Sequence, residues 1–324
     1  MIGNSCMSLL LSGATGFLGS ALASWLVDNA DYRLVLALRR KILDPFPGSQ
    51  SVVIGDLDGD TDWSPALLDI DVVIHTAARV HVMDESIDNP LTEFRKVNVE
   101  GTLNFARQAA AMGVKRFIYI SSIKVNGELT VPGRPFTADD SPAPVDPYAI
   151  SKWESEAGLF QIAEETCMEV VIIRPPLVYG PGVKANFQSM MCWISRGVPL
   201  PLGAIHNKRS LLALDNLVDL IVTCIKHPSA ANQVFLASDG DDISTTELLK
   251  QVGNALGRSA RLISIPEYII IITARMLGKH DLSQRLLGSL QVDMKKTQDL
   301  LGWRPRVTVD EAIRKTAQAF IRQC

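Results

Sequence analysis

Three glycines spaced three apart, Gly13, Gly16 and Gly19, stand directly after the apolar run Met7-Ser8-Leu9-Leu10-Leu11 and open an amphipathic stretch that starts at Phe17. A short buried strand that ends in closely spaced glycines and runs into a helix leaves a chain few alternatives. Gly13 permits the tight turn, Gly16 lets backbone approach a pyrophosphate, and Gly19 lets the helix pack against its strand. The helix N-terminus then offers unpaired N–H groups and the positive end of a dipole to phosphates. The spacing is G-x-x-G-x-x-G, one residue wider at the first gap than the common G-x-G-x-x-G. This junction predicts a dinucleotide-binding unit at the start of the chain.

The next segments repeat the theme. Apolar runs at 33–38, 51–56, 71–75, 116–120 and 169–173 read as buried strands, and helical patterns fall at about 17–30, 89–112 and 148–164. Asp146 is a good N-cap for the last of these helices, and Pro147 suits its first turn. Strands alternating with helices predict an α/β fold with a doubly wound parallel sheet. Past Pro175 the pattern loosens: a helix at 216–226, a strand at 233–236, then helices at 245–256, 266–277, 294–301 and 310–321. No internal repeat or low-complexity tract interrupts it. At 324 residues the chain can hold one large domain or a core domain with a smaller one.

Composition narrows the class. A net charge of −3 with both signs mixed along the chain argues against a nucleic-acid surface. The five cysteines lack C-x-x-C spacing, which argues against a metal site or a disulfide framework and fits a reducing cytoplasm. The residues before Met7 are polar or small, so no secretory signal is expected. The run from Ile265 to Ala274 is far shorter than the ~20 residues that span a bilayer, so a buried helix is expected there and no membrane insertion.

Two positions speak to the cofactor and the ligand crevice. The second strand ends in Arg39-Arg40-Lys41 with no acid beside it. An acid there would bond ribose hydroxyls, whereas arginine accommodates a 2′-phosphate, so NADP(H) is favoured, with NAD(H) the alternative. Thr76-Ala77-Ala78, following a central strand, leave room for a ligand at the carboxyl edge of the sheet. His75 and His81 lie nearby, where a histidine is more often structural than catalytic.

The chemistry falls on the helix at 148–164. Tyr148 and Lys152 are four residues apart and share a helix face. A free tyrosine, with a pKa of about 10, is a poor acid–base group at neutral pH, and a nearby ammonium favours its phenolate. Ser122, at the end of the fifth strand, would bring a hydroxyl to the same place. With the glycine loop far upstream, this conjunction predicts hydride chemistry at an alcohol or ketone.

These residues together resemble the extended short-chain dehydrogenases/reductases of the nucleotide-sugar epimerase/dehydratase kind, over nearly the whole chain. The resemblance implies a Rossmann-type sheet with a smaller C-terminal α/β substrate lobe. Residues 1–175, with a return segment at about 209–237, would form the dinucleotide domain; 176–208 and 238–324 would form the lobe. It implies Tyr148 as proton donor and acceptor, Lys152 as holder of the nicotinamide ribose that also lowers the tyrosine pKa, and Ser122 as partner of the reacting oxygen. Cofactor contacts would come from Gly13, Thr15, Gly16, Phe17, Leu18, Arg39, Arg40, Asp56, Leu57, Thr76, Ala77, Ala78, Asn98 and Pro175 besides Tyr148 and Lys152. Asn186, Arg209 and Arg285, with Asp215, would hold the diphosphate of a UDP-sugar, and Leu301-Gly302-Trp303-Arg304-Pro305 is similar to the family's closing signature. A homodimer through the helices at 89–112 and 148–164 is implied as well.

Departures from the family pattern point to the reaction. Dehydratases carry an Asp-Glu pair where this chain has Ile123 and Lys124, which removes dehydration. Epimerases carry a tyrosine where this chain reads Val125-Asn126-Gly127, and they retain NAD. The segment from Arg174 to Phe187 is similar to bacterial C4-reductases of surface-polysaccharide (O-antigen) pathways. The expectation is therefore NADPH-dependent reduction of the C4 ketone of a UDP-4-keto-6-deoxy-N-acetylhexosamine; the alternative is a UDP-glucose or UDP-N-acetylglucosamine 4-epimerase with retained NAD.

Overall fold

Leu9, Leu10 and Leu11 are fully buried, and their side chains alternate between the two faces of one sheet. Each contributes about 1.5–3 kcal/mol relative to an exposed position. The structure, a computed structural model, describes residues 6–29, 31–80, 89–131, 133–276, 278, 284 and 286–323. Its main sheet holds β1 (Met7–Ser12), β2 (Tyr32–Leu38), β3 (Gln50–Val53), β4 (Val72–His75), β5 (Arg116–Ile120), β6 (Glu169–Arg174) and, after two short strands, β9 (Gln233–Leu236). The order is β3-β2-β1-β4-β5-β6-β9, and every neighbouring pair is parallel.

One face of the sheet is covered by α1 (Phe17–Asp28) and α6 (Leu214–Lys226), which bring Leu22, Leu26, Leu217 and Ile221 against Leu9 and Leu11. The other is covered by α3 (Thr102–Ala111) and α4 (Pro147–Glu165), which bring Phe105, Ala109 and Leu159 against Leu10. From β1 the chain steps outward to β2 and β3, then crosses back to β4 on the opposite side. The order reverses between β1 and β4, where Ser12 stands opposite His75. Ligands of such sheets bind in the crevice beyond the carboxyl ends of the strands at this reversal.

The helix expected at 89–112 is present but changes winding part-way. After α2 (Pro90–Phe94), residues Arg95–Gly101 form a π-helical stretch before α3. Two features past Pro175 carry no clear period and went unforeseen: the parallel pair β7 (Leu177–Tyr179) and β8 (Leu211–Ala213), and α5 (Ala185–Ser195). Three-residue strands are too short to show alternation. With α7 (Thr245–Ala255) and α10 (Val309–Gln323) these elements enclose a separate core around Phe187, Met191, Leu249, Ile313 and Phe320. α9 (Lys295–Leu301) joins the main core instead, through Leu301.

The apolar run at 265–274 departs from expectation. It forms α8 (Glu267–Met276), none of whose residues is buried. Ile270 packs toward the lobe core while Tyr268, Ile269, Ile272 and Met276 face outward, because the helix lies on the outside of the lobe. Among the described residues no helix is long and apolar enough to cross a membrane.

Candidate active site

At the β1–α1 junction the space for side chains is gone. Gly13 adopts φ +77°, and a Cβ there would lie 2.7 Å from both the Ala77 amide nitrogen and Thr76 Oγ1. A Cβ at Gly19 would fall 2.0 Å from the Gly13 carbonyl oxygen. α1 follows its N-cap Gly16, whose N–H is taken by the Gly13 carbonyl at 2.9 Å; with no side-chain cap and no acid in the first turn, the leading N–H groups of the helix have no side-chain acceptor. Thr15 and Gly16 are exposed and Phe17 and Leu18 half-buried at the mouth of the crevice. The cradle fits the pyrophosphate of a dinucleotide.

The facing strand end is locked in place. Thr76 Oγ1 donates to the Ser12 carbonyl at 2.7 Å, setting Ala77 beside Gly13, with Ala78 next in the chain. His75 is fully buried, its ring 2.5 Å from Ser12 Oγ through Nδ1 and 3.0 Å from Thr102 Oγ1 through Nε2. Burial, and next the charge of Lys152, push its pKa down to about 3, so His75 is a neutral structural brace. His81 lies outside the described residues.

Asn98, in the π-helical stretch, has its amide fully engaged. Its Oδ1 accepts from the Arg79 backbone N–H at 2.8 Å, while Nδ2 donates to the Arg79 carbonyl and to Ser151 Oγ, each at 3.0 Å. It holds the segment after Ala78 against α4. Beyond the carboxyl end of β2 Arg39 is ion-paired with Asp56, both exposed, so one of the strand-end cations is already neutralised. Arg40 is exposed at the same turn, and Leu57 packs over Gly101.

The second junction joins β5 to α4. Ser122 caps a 3₁₀ turn, Ile123–Val125, by accepting from the Lys124 N–H at 3.3 Å. Asp146 caps α4 by accepting from the Ala149 N–H at 2.7 Å, with Pro147 in the first turn. Lys124 is ion-paired with Asp146, which ties the Ser122 turn to the start of the helix carrying Tyr148 and Lys152. The ring of Tyr148 meets Phe94 edge-on, centroids 5.9 Å apart.

Here the electrostatics differ from expectation. Lys152 is 1% exposed and its Nζ sits 4.1 Å above the centre of the Tyr119 ring. Burial lowers its pKa to about 7, against the opposing charge of Glu156. The Tyr148 phenol is pushed up to about 12, first by burial and then by the charge of Asp146. With the ammonium turned onto an aromatic face, it does not pull the phenol down; the protonated form prevails in the chain as it stands.

Residues 9–237 match the model of the NAD dependent epimerase/dehydratase family, more than half of the chain. The chain belongs to that family. A UDP-glucose 4-epimerase of Vibrio cholerae is 49% identical over 316 residues, covering 97% of this chain and 96% of that protein. Among solved structures, UDP-glucuronic acid 4-epimerase from Bacillus cereus in complex with NAD superposes with a TM-score of 0.79 at 20% identity, covering 98% of this chain and 99% of the other. RMD from Pseudomonas aeruginosa complexed with NADPH gives 0.74 at 23% identity, with 97% and 99% covered. At such identities the structures speak for the fold.

Membership in the epimerase/dehydratase family makes this chain an enzyme of the oxidoreductase type and a nicotinamide dinucleotide its class of cofactor. Farther from the sheet, Asn186 is exposed in the first turn of α5. Arg209 is half-buried, its guanidinium donates to the Gly288 carbonyl at 3.0 Å, and burial lowers its pKa. Asp215 is ion-paired with Lys315 on α10, a structural engagement. Arg285 lies outside the described residues. Sequence reasoning missed three residues beside the Ser122 turn: Ser121, Glu156 and the partner role of Asn126. Glu156 was within reach, one turn past Lys152 and two past Tyr148 on the same helix.

Proposed function

We propose that this enzyme inverts the C4 hydroxyl of a UDP-hexose, interconverting the gluco and galacto forms with a retained NAD. The observation that carries this reading is the 49% identity, across 97% of the chain, to a protein named UDP-glucose 4-epimerase. The Arg39–Asp56 ion pair supports it, because it leaves an acid at the adenosine end and one fewer cation for a 2′-phosphate.

A carbinol C–H is not acidic, so its inversion needs oxidation to a ketone and return to the opposite face. The nicotinamide, when bound, supplies the chemistry of taking up and giving back a hydride. Gly13, Thr15, Gly16, Phe17 and Leu18 would hold the pyrophosphate, with Thr76 to Ala78 and Pro175 along the crevice and Asp56 and Leu57 at the adenine. Asn98 acts on it through the segment after Ala78. Lys152 would hold the nicotinamide ribose. Tyr148 moves the proton of the C4 oxygen, Ser122 orients that oxygen, and Asn186 and Arg209 hold the diphosphate. The chain would work as a homodimer in the cytoplasm, through outer faces on which Met112 and Trp153 are exposed.

A second reading is an NADPH-dependent C4-ketone reductase of O-antigen biosynthesis. Arg40, exposed beside Arg39, favours it, as does Tyr148 held as a protonated donor. One assay separates them. Purified enzyme given UDP-galactose and no added cofactor is expected to form UDP-glucose. Absence of conversion, together with oxidation of NADPH on adding the 4-keto-6-deoxy sugar nucleotide, would assign the reductase.

A further inference from the structure

Ser122 is bracketed. On one side Ser121 Oγ donates to Glu156 Oε1, and on the other Lys124 pairs with Asp146. Both acceptors belong to the α4 segment, with Tyr148 and Lys152 between them. Glu156 is 3% exposed and takes a forked bond from Arg174: Nε lies 3.0 and 3.1 Å from its two oxygens, and Nη2 lies 2.5 Å from Oε2. Arg174 Nη1 donates to Asn126 Oδ1 at 2.9 Å, and Asn126 Nδ2 donates to the Thr137 carbonyl at 2.8 Å. The Ile123 N–H closes the turn onto the Pro175 carbonyl at 3.0 Å.

A buried ion pair is a weak source of stability, since well-packed apolar residues of similar volume often do as well. What a forked, charge-assisted pair provides is fixed orientation. Here it fixes three segments that meet only in the fold: the stretch from the end of β5 through the turn after Ser122, the middle of α4 and the end of β6. It also accounts for Asn126, whose amide completes the shell of Arg174.

We propose that Glu156 and Arg174, completed by Ser121 and Asn126, are positioning residues that set the Ser122 hydroxyl against Tyr148. The proposal rests on Ser122 and Tyr148 forming the reacting pair. Small misplacements of reacting groups cost about a hundredfold in rate, so the effect falls on kcat.

The test uses the full chain carrying E156L/R174M, which removes both charges together, and S121A, which deletes one hydroxyl and keeps the ion pair. In the double variant kcat on UDP-galactose is expected to fall ~10–100-fold, with KM within about twofold. Hydrogen exchange of the peptide covering residues 121–126 is expected to accelerate. S121A is expected to show the same split, more weakly, and serves alone if the double variant does not fold. Folded variants with unchanged kcat overturn the proposal whatever their exchange. If the wild type converts neither UDP-galactose nor the keto sugar, the functional reading fails by itself, and unchanged exchange at 121–126 then overturns the positioning role.

Discussion

The two junctions at the carboxyl edge of the sheet, β1 to α1 and β5 to α4, do similar jobs by opposite means. The first is built by removing side chains: at Gly13 and Gly19 a single carbon would collide with backbone. The second is built by adding them, through a buried chain of polar groups from Ser121 to Thr137. A site meant to admit phosphates needs backbone N–H groups and room. One meant to hold two reacting hydroxyls needs its supports fixed from several directions.

The largest effect expected is on chemistry alone. Tyr148→Phe should lower turnover ~10²–10⁴-fold, the range of a lost acid–base group, while the unfolding midpoint and dinucleotide affinity stay put. A matching loss of dinucleotide binding would mean that the junctions are not separable as drawn.

Next comes stability at the second junction. Arg174→Met leaves Glu156 buried and unpaired, which should cost ~3–5 kcal/mol in urea unfolding, and adding Glu156→Leu should recover most of it. At the first junction Gly19→Ala sets a carbon against the Gly13 carbonyl, for about 1–3 kcal/mol, and should weaken dinucleotide binding measured by fluorescence titration. Normal binding by that variant would show that the helix can withdraw without consequence.

Between the junctions, His75 provides a pH test. Its folded pKa, lowered to about 3, lies below the ordinary histidine value of 6.5, so over that window the unfolded chain binds more protons. Stability should therefore fall as pH drops from about 6.5 toward 3, by up to about 1.4 kcal/mol per pH unit, and His75→Gln should lessen the slope. Smallest is Arg39→Ala. The pair it breaks is more than two-thirds exposed, so stability should change by less than about 1 kcal/mol, with NAD affinity nearly unaltered.

Legibility in the sequence follows the same contrast. The glycine junction and the alternating strands could be read because their determinants are contiguous: Gly13, Gly16 and Gly19 lie within seven residues, and Leu9 to Leu11 announce their strand. Tyr148 and Lys152 were visible as a helical pair. The bonds from Glu156 to Arg174 and on to Asn126 span residues 18 and 48 apart, and no local period reports them. For the same reason the strand-end triplet read as open to a 2′-phosphate: its counter-ion, Asp56, stands 17 residues on. β7 and β8, at three residues each, gave no alternation, and the apolar run at 265–274 looked like core while its helix lies on the outside.

The account stands or falls on whether hydrogen leaves C4 of a UDP-hexose and returns to that same carbon. UDP-galactose deuterated at C4, incubated with the purified chain and no added cofactor, tests this by proton and deuterium NMR of the product. The account predicts UDP-glucose with deuterium kept at C4. UDP-glucose carrying protium there, or no product at all, would contradict it.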